Sequence, residues 1–120
     1  MDHHKLVLPE HMNHYGFLFG GYLLQWIDEF AYITVTAEHP GQRFVTVAMS
    51  DVQFRSRIRV GEVLRFTVER GRVGTSSVTY RVRTRGLVVE ADPDRVLFET
   101  TMTFVRVDAE GHKAPVSGGG

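Results

Sequence analysis

Gly20-Gly21-Tyr22-Leu23-Leu24-Gln25-Trp26-Ile27-Asp28-Glu29-Phe30-Ala31-Tyr32-Ile33-Thr34-Val35-Thr36-Ala37-Glu38 is the stretch on which the fold turns. It reads as one helix of roughly five turns at 3.6 residues per turn. His39-Pro40-Gly41 ends it, because proline lacks an N–H and clashes with the preceding turn. Apolar side chains (Leu23, Leu24, Trp26, Ile27, Phe30, Ala31, Ile33, Val35) cover most of its circumference, and Gln25, Glu29, Tyr32 and Thr36 share a narrower polar face. Such a helix is largely wrapped by other structure. It is not a membrane span: Asp28 and Glu29 sit in its middle, and the run is barely long enough.

Upstream lies Asn13-His14-Tyr15-Gly16-Phe17-Leu18-Phe19. Glycines at a helix start leave backbone N–H groups open to a close-approaching ligand, and the helix dipole favours negative charge there. A carboxylate farther along the same helix is a candidate base or nucleophile.

Downstream of Pro40 the apolar period changes to two. Arg43–Phe54, Glu62–Val73, Ser77–Val89 and Arg95–Asp108 alternate as strands do and are rich in Val, Thr, Phe and Tyr. Val60-Gly61-Glu62, Gly71-Arg72-Val73-Gly74, Asp92-Pro93-Asp94 and Ala109-Glu110-Gly111 punctuate them. Lys5–Leu8 supplies a short first strand, ended by Pro9. Short turns between long strands predict an antiparallel meander, and with the helix an α+β arrangement in which the sheet curls round it. One copy would leave sheet edges open, so at least a homodimer is expected.

At 120 residues the chain is read as one domain over 1–114, with a flexible tail over 115–120. Hydrophobic residues are 42% and charged residues 23%, the balance of a globular protein. Cysteine is absent, which excludes disulfides, thiol nucleophiles and thiolate metal sites. Met1–Lys5 is polar and unlike a signal peptide, so the cytoplasm is the default location. The formal net charge is zero, which does not favour nucleic-acid binding. Arg outnumbers Lys twelve to two, however, and clusters between Arg55 and Arg85, so a local anion site is possible. His11 and His14 would hold a metal only on a helix with a third ligand, and none is expected. No dinucleotide fingerprint is present.

Pro9-Glu10-His11-Met12-Asn13-His14-Tyr15-Gly16, then Phe19-Gly20-Gly21, then Ile27-Asp28-Glu29 resembles the active-site segment of hotdog-fold acyl-CoA thioesterases. The likeness is to the bacterial broad-range and the cytosolic brain-type acyl-CoA hydrolases. Phe44–Ala48 resembles their central strand, Arg59-Val60-Gly61-Glu62 a turn, and Val73-Gly74-Thr75-Ser76-Ser77 a hairpin, collinear from Leu6 to Val107. The resemblance implies a hotdog fold, dimers on a continuous sheet, often trimers of dimers, and hydrolysis of acyl-CoA without a cofactor, CoA being part of the substrate. It also implies an asparagine and an aspartate meeting across the dimer interface, here Asn13 and Asp28. His11 departs from an aspartate common in the bacterial members. Trp26, Phe30, Tyr32 and Tyr15 add bulk beside the acyl channel, and both differences bear on substrate range.

A thioester needs its carbonyl polarised and an oxygen nucleophile delivered. The chain has no Gly-x-Ser-x-Gly elbow and no cysteine, which leaves a carboxylate route as the simplest one. Helical phase gives Glu29 as good a claim as Asp28; the resemblance decides for Asp28. Asn13 either polarises the carbonyl or only closes an Asx-turn, and Gly20 and Gly21 either offer N–H groups or only allow tight packing. Gly20 and Asp28 would lie roughly 12 Å apart along the axis at 1.5 Å per residue. Asp28 of one subunit is therefore expected to face the Asn13–Gly21 segment of its partner. For the phosphates of CoA the candidates are Arg57 and Arg59, which with Arg55 would share a face if extended, and the nest Gly74-Thr75-Ser76-Ser77. His14 beside Asn13 is placed to touch substrate. The other functions weighed are a non-catalytic acyl-CoA-binding or sensing domain and an enoyl-thioester hydratase. The second usually employs a histidine in the helix, and residues Gly20–Glu38 contain none.

Overall fold

The computed structural model describes residues 1–87 and 95–117. Helix α1 spans Gly20–Glu38, and strands β1 (Asp2–Leu6), β2 (Arg43–Phe54), β3 (Val63–Val73), β4 (Ser77–Gly86) and β5 (Phe98–Val107) form a single antiparallel sheet. The strand order is β1-β3-β4-β5-β2. The period of two fills one face only: Val78, Tyr80, Val82 and Thr84 of β4 are buried, whereas Arg81 between them is exposed. Helix α1 lies on the buried face and contributes Leu23, Trp26, Ile27, Ala31, Thr34 and Val35 to the interior. Tyr32 and Ile33 stay exposed, so the wrapping of the helix is incomplete within one chain.

Two expectations need correction. The meander holds only for β3-β4-β5; β2 does not pair with β3 but lies at the far edge against β5. Its connection to β3 is not a tight hairpin, because Ile58 within it is buried and its carbonyl accepts the Leu18 N–H at 2.8 Å. The first strand comes earlier than Lys5–Leu8. Asp2–Leu6 pairs with β3, where His3 also stacks on Phe30 at 4.8 Å, while Val7 instead exchanges backbone hydrogen bonds with Gly61 and Glu62. Residues 115–117, at the start of the expected tail, make hydrogen bonds to the rest of the chain. The carbonyl of Pro115 accepts from Arg106 at 2.7 Å, the Val116 N–H donates to Thr75 O at 2.8 Å, and Ser117 N–H to Gln42 Oε1 at 3.0 Å. Val88-Val89, the turn Asp92-Pro93-Asp94 and residues 118–120 lie outside the described residues.

Buried Tyr80 anchors the far end of α1, its hydroxyl donating to Glu38 Oε1 at 2.7 Å. Burial first, and then that hydrogen bond, push the Tyr80 phenol well above its ordinary value of 10.0. The protonated form is thus favoured by folding. Its stabilisation is complete below pH 10.0 and is lost as pH rises toward the raised value. Tyr80→Phe should cost about 1–2 kcal/mol at neutral pH by urea denaturation. It should also flatten the alkaline fall in stability above pH 10.0.

Candidate active site

The loop before α1 is closed by one side chain. Asn13 Oδ1 accepts from the N–H groups of Tyr15 (2.9 Å) and Phe17 (3.2 Å), and the Asn13 N–H donates to Phe17 O at 2.7 Å. The Asx-turn reading of Asn13 is therefore observed, and it occupies the amide oxygen. The Nδ2 group is the part of Asn13 left to donate to a ligand. Gly16 takes φ +83°, a conformation that disfavours a side chain. Phe19 then enters the helix at φ −68°, ψ 127° without a side-chain cap, so the first N–H groups of α1 gain no side-chain acceptor there.

Each glycine at the helix start has an aromatic ring against it. A Cβ on Gly21 would stand 2.7 Å from the Phe19 ring, and one on Gly20 would stand 3.1 Å from the tip of Phe54. Between this loop and the β2–β3 connection lies a cleft of about 430 Å³, bordered by Asn13, Gly20, Leu23, Phe54, Arg57 and Ile58. The Arg57 guanidinium sits over the Phe17 ring at 4.9 Å.

Asp28 is not part of that cleft. It is half-buried, and Thr46 of β2 donates its hydroxyl to Asp28 Oδ1 at 2.7 Å; Glu29 is exposed. Asp28 thus leans on the edge strand. Sequence reasoning missed Thr46. A signal existed, since Thr46 shares strand parity with Phe44, which is buried.

Sheet register fixes how far apart the pieces lie. Thr46 stands in a row with Phe104 and Val78, and Phe54 in a row with Phe98 and Thr84. Phe98 and Phe104 are six residues apart, about 20 Å at the antiparallel rise. The Asn13 cleft is therefore at one end of the sheet, with the Asp28–Thr46 pair and the hairpin Gly74-Thr75-Ser76-Ser77 toward the other. In the hairpin the Gly74 N–H donates to Ser77 O at 2.8 Å, and the carbonyls of Thr75 and Ser76 accept from Val116 and Arg106. The three arginines do not share a face, because Arg55–Arg59 is not a strand. Arg55 turns to Glu99 at 3.6 Å, Arg57 to the cleft, and Arg59 binds Glu62 through its backbone N–H at 2.5 Å. His14 is exposed and its ring lies 3.9 Å from that of Tyr15. Among the described residues no group of three or more His, Asp or Glu side chains is placed to hold a metal.

A helix seated on one face of a curved antiparallel sheet, with an uncapped N-terminus opening on an apolar cleft, is the hotdog architecture. The chain belongs to the Thioesterase superfamily, whose family model matches residues 15–86. It is 40% identical over 74 residues to mouse acyl-coenzyme A thioesterase 11, covering 62% of this chain and 12% of that protein. Two bacterial relatives, each called an uncharacterised acyl-CoA thioester hydrolase, are spanned to 51% and 63% of their length, so the chain covers less than two thirds of these curated relatives. Among solved structures it is similar to the Staphylococcus aureus acyl-CoA hydrolase bound to butyryl-CoA, CoA and CoA disulfide (TM-score 0.88, 32% identity, 98% and 71% of the two chains). It is also similar to a hexameric hotdog-fold thioesterase of Campylobacter jejuni (TM-score 0.78, 25% identity, 95% and 87%). The S. aureus enzyme has been solved with alanine in place of an asparagine, an aspartate and a threonine. That asparagine and aspartate stand fifteen positions apart, as Asn13 and Asp28 do here.

The double use of the Asn13 carbonyl gives a stability prediction. Asn13→Ala should cost about 1 kcal/mol through loss of the loop acceptor. Asn13→Asp keeps an acceptor and should stay near wild type; urea midpoints of the three proteins decide.

Proposed function

We propose that the chain hydrolyses acyl-CoA thioesters in a homodimer whose two sites each draw on both subunits. The observation that carries this reading is the division of the site residues between opposite ends of one open edge strand. Antiparallel pairing of β2 with a second copy, about a two-fold axis near Ser50, sets Thr46 opposite Phe54 of the copy. Asp28 of one subunit then faces the Asn13–Gly20 cleft of the other. The edge itself calls for a partner: Val45, Val47, Val52 and Phe54 are 40–57% exposed along it. The hexameric C. jejuni relative supports self-association, and the CoA-bound S. aureus relative supports this substrate class.

In the assembled site the thioester carbonyl lies at the start of α1. The N–H groups of Gly20 and Gly21 and the Asn13 Nδ2 stabilise the oxygen as negative charge develops. Asp28, oriented by Thr46, delivers the oxygen nucleophile, either by taking a proton from water or by attacking the carbonyl carbon itself. The carbon–sulfur bond breaks, the thiolate of CoA leaves and is protonated, and the net addition of water yields the carboxylic acid. Arg57 at the cleft rim serves the phosphates of CoA in its own subunit. Arg59, His14 and Gly74-Thr75-Ser76-Ser77 are assigned to substrate binding on their chemistry and their place in the sequence.

Asp28→Asn should lower kcat by about 10²- to 10⁴-fold in a thiol-release assay while leaving the oligomer intact, and full activity would overturn the proposal. Asn13→Asp should cost about 10²- to 10³-fold through the lost carbonyl donor. Complementation then tests the sharing of the site. Co-refolded in equal amounts, the two inactive variants should recover about a quarter of wild-type activity, since half the dimers are mixed and each holds one intact site. A site confined to one chain would recover none.

A further inference from the structure

Phe54 ends β2 with more than half of its surface exposed, yet its ring is fixed from two sides. Its cross-strand partner Phe98 is fully buried and meets it edge-on at 5.0 Å. On the other side the ring tip would stand 3.1 Å from a Cβ of residue 20, so glycine at the helix start eases the ring's close approach. Phe54 also borders two spaces at once. One is the apolar cleft of about 430 Å³ floored by Leu23 and Ile58; the other is a recess of about 490 Å³ edged by Arg55, Arg95 and Glu62. The ring stands at their common border with Ser56 and Arg57, beside the N–H groups at which a thioester carbonyl would sit.

We infer that Phe54 is the specificity-determining residue that limits the length of the acyl group, an assignment that rests on the thioesterase reading of the same cleft. An acyl chain leaving a carbonyl held at Gly20 runs into this ring, and its far end is kept from the guanidinium-lined recess. A short acyl group fills the cleft against Leu23, Ile58 and Phe54. A longer chain must displace the ring, which Phe98 resists by packing.

The test is a chain-length profile, with thiol release measured for butyryl-, hexanoyl-, decanoyl- and lauroyl-CoA. Phe54→Ala joins the two spaces and should raise the ratio of kcat/KM for decanoyl-CoA to that for butyryl-CoA by about tenfold or more. Phe54→Trp should shift the ratio the opposite way. Size-exclusion chromatography of each variant reports whether the edge contact survives. An unchanged profile, or a parallel loss at every chain length with or without dissociation, would overturn the inference, because a merely structural ring would not move the ratio. Failure of the wild-type protein to release thiol from any of the four would instead overturn the proposed activity, and this limit with it.

Discussion

Eight residues of helix separate Gly20 from Asp28, and at 1.5 Å per residue they hold the two about 12 Å apart. Nothing in the chain can shorten that distance, because the helix between them is packed through Leu23, Trp26 and Ile27. The open N–H groups and the carboxylate therefore cannot act on one carbonyl from the same subunit. The sheet repeats the constraint, since Thr46 and Phe54 occupy opposite ends of the same strand. In the proposed dimer a second copy related by a two-fold axis removes the conflict, because antiparallel pairing brings one end of β2 to the other end of its neighbour.

The crossover from β2 to β3 makes this division possible. By joining the loop before α1 instead of turning back, it leaves β2 on the edge, paired among the described residues only with β5. The same crossover builds the cleft. Ile58 is buried within it and accepts the Leu18 N–H, while Arg57 and Phe54 close the rim. Loop and crossover are each further tied, the one through Phe19 N–H to His11 O at 2.9 Å, the other through Gly61 N–H to Val7 O at 2.8 Å. The cleft is thus assembled from segments remote in sequence and braced by backbone hydrogen bonds.

This explains what could be read from the sequence. The bounds of α1 were legible because the glycine pair and His39-Pro40-Gly41 are local signals, and strand parity was legible because one face of the sheet is buried. The edge position of β2 was not, since pairing depends on where a connection runs and not on the pattern within either strand. Asp28 and Glu29 were indistinguishable by helical phase, which says nothing about the strand beneath. In the fold Asp28 meets Thr46, whereas Glu29 is exposed. Arg55, Arg57 and Arg59 alternate as a strand would, but the crossover is irregular and sends them to three places.

The ends of α1 show why an open site is compatible with a stable fold. A helix is ordinarily favoured by an acceptor at its N-cap and an acid in its first turn, and α1 has neither. At its other end it carries Glu38, a charge of the sign the dipole disfavours there, and no basic residue in the last turn. Glu38 is compensated by the Tyr80 hydroxyl, and His39 turns its Nδ1 to the carbonyl of Val35 at 3.3 Å. Among the described residues only the C-terminal end receives side-chain hydrogen bonds. The N-terminal end keeps its uncompensated positive pole, and burial of Leu23, Trp26, Ile27, Ala31 and Val35 holds the helix in place of a cap. Capping that end from within would satisfy the first turn and remove the groups that can meet a developing oxyanion. Stability drawn from the helix's flank leaves its tip available for chemistry.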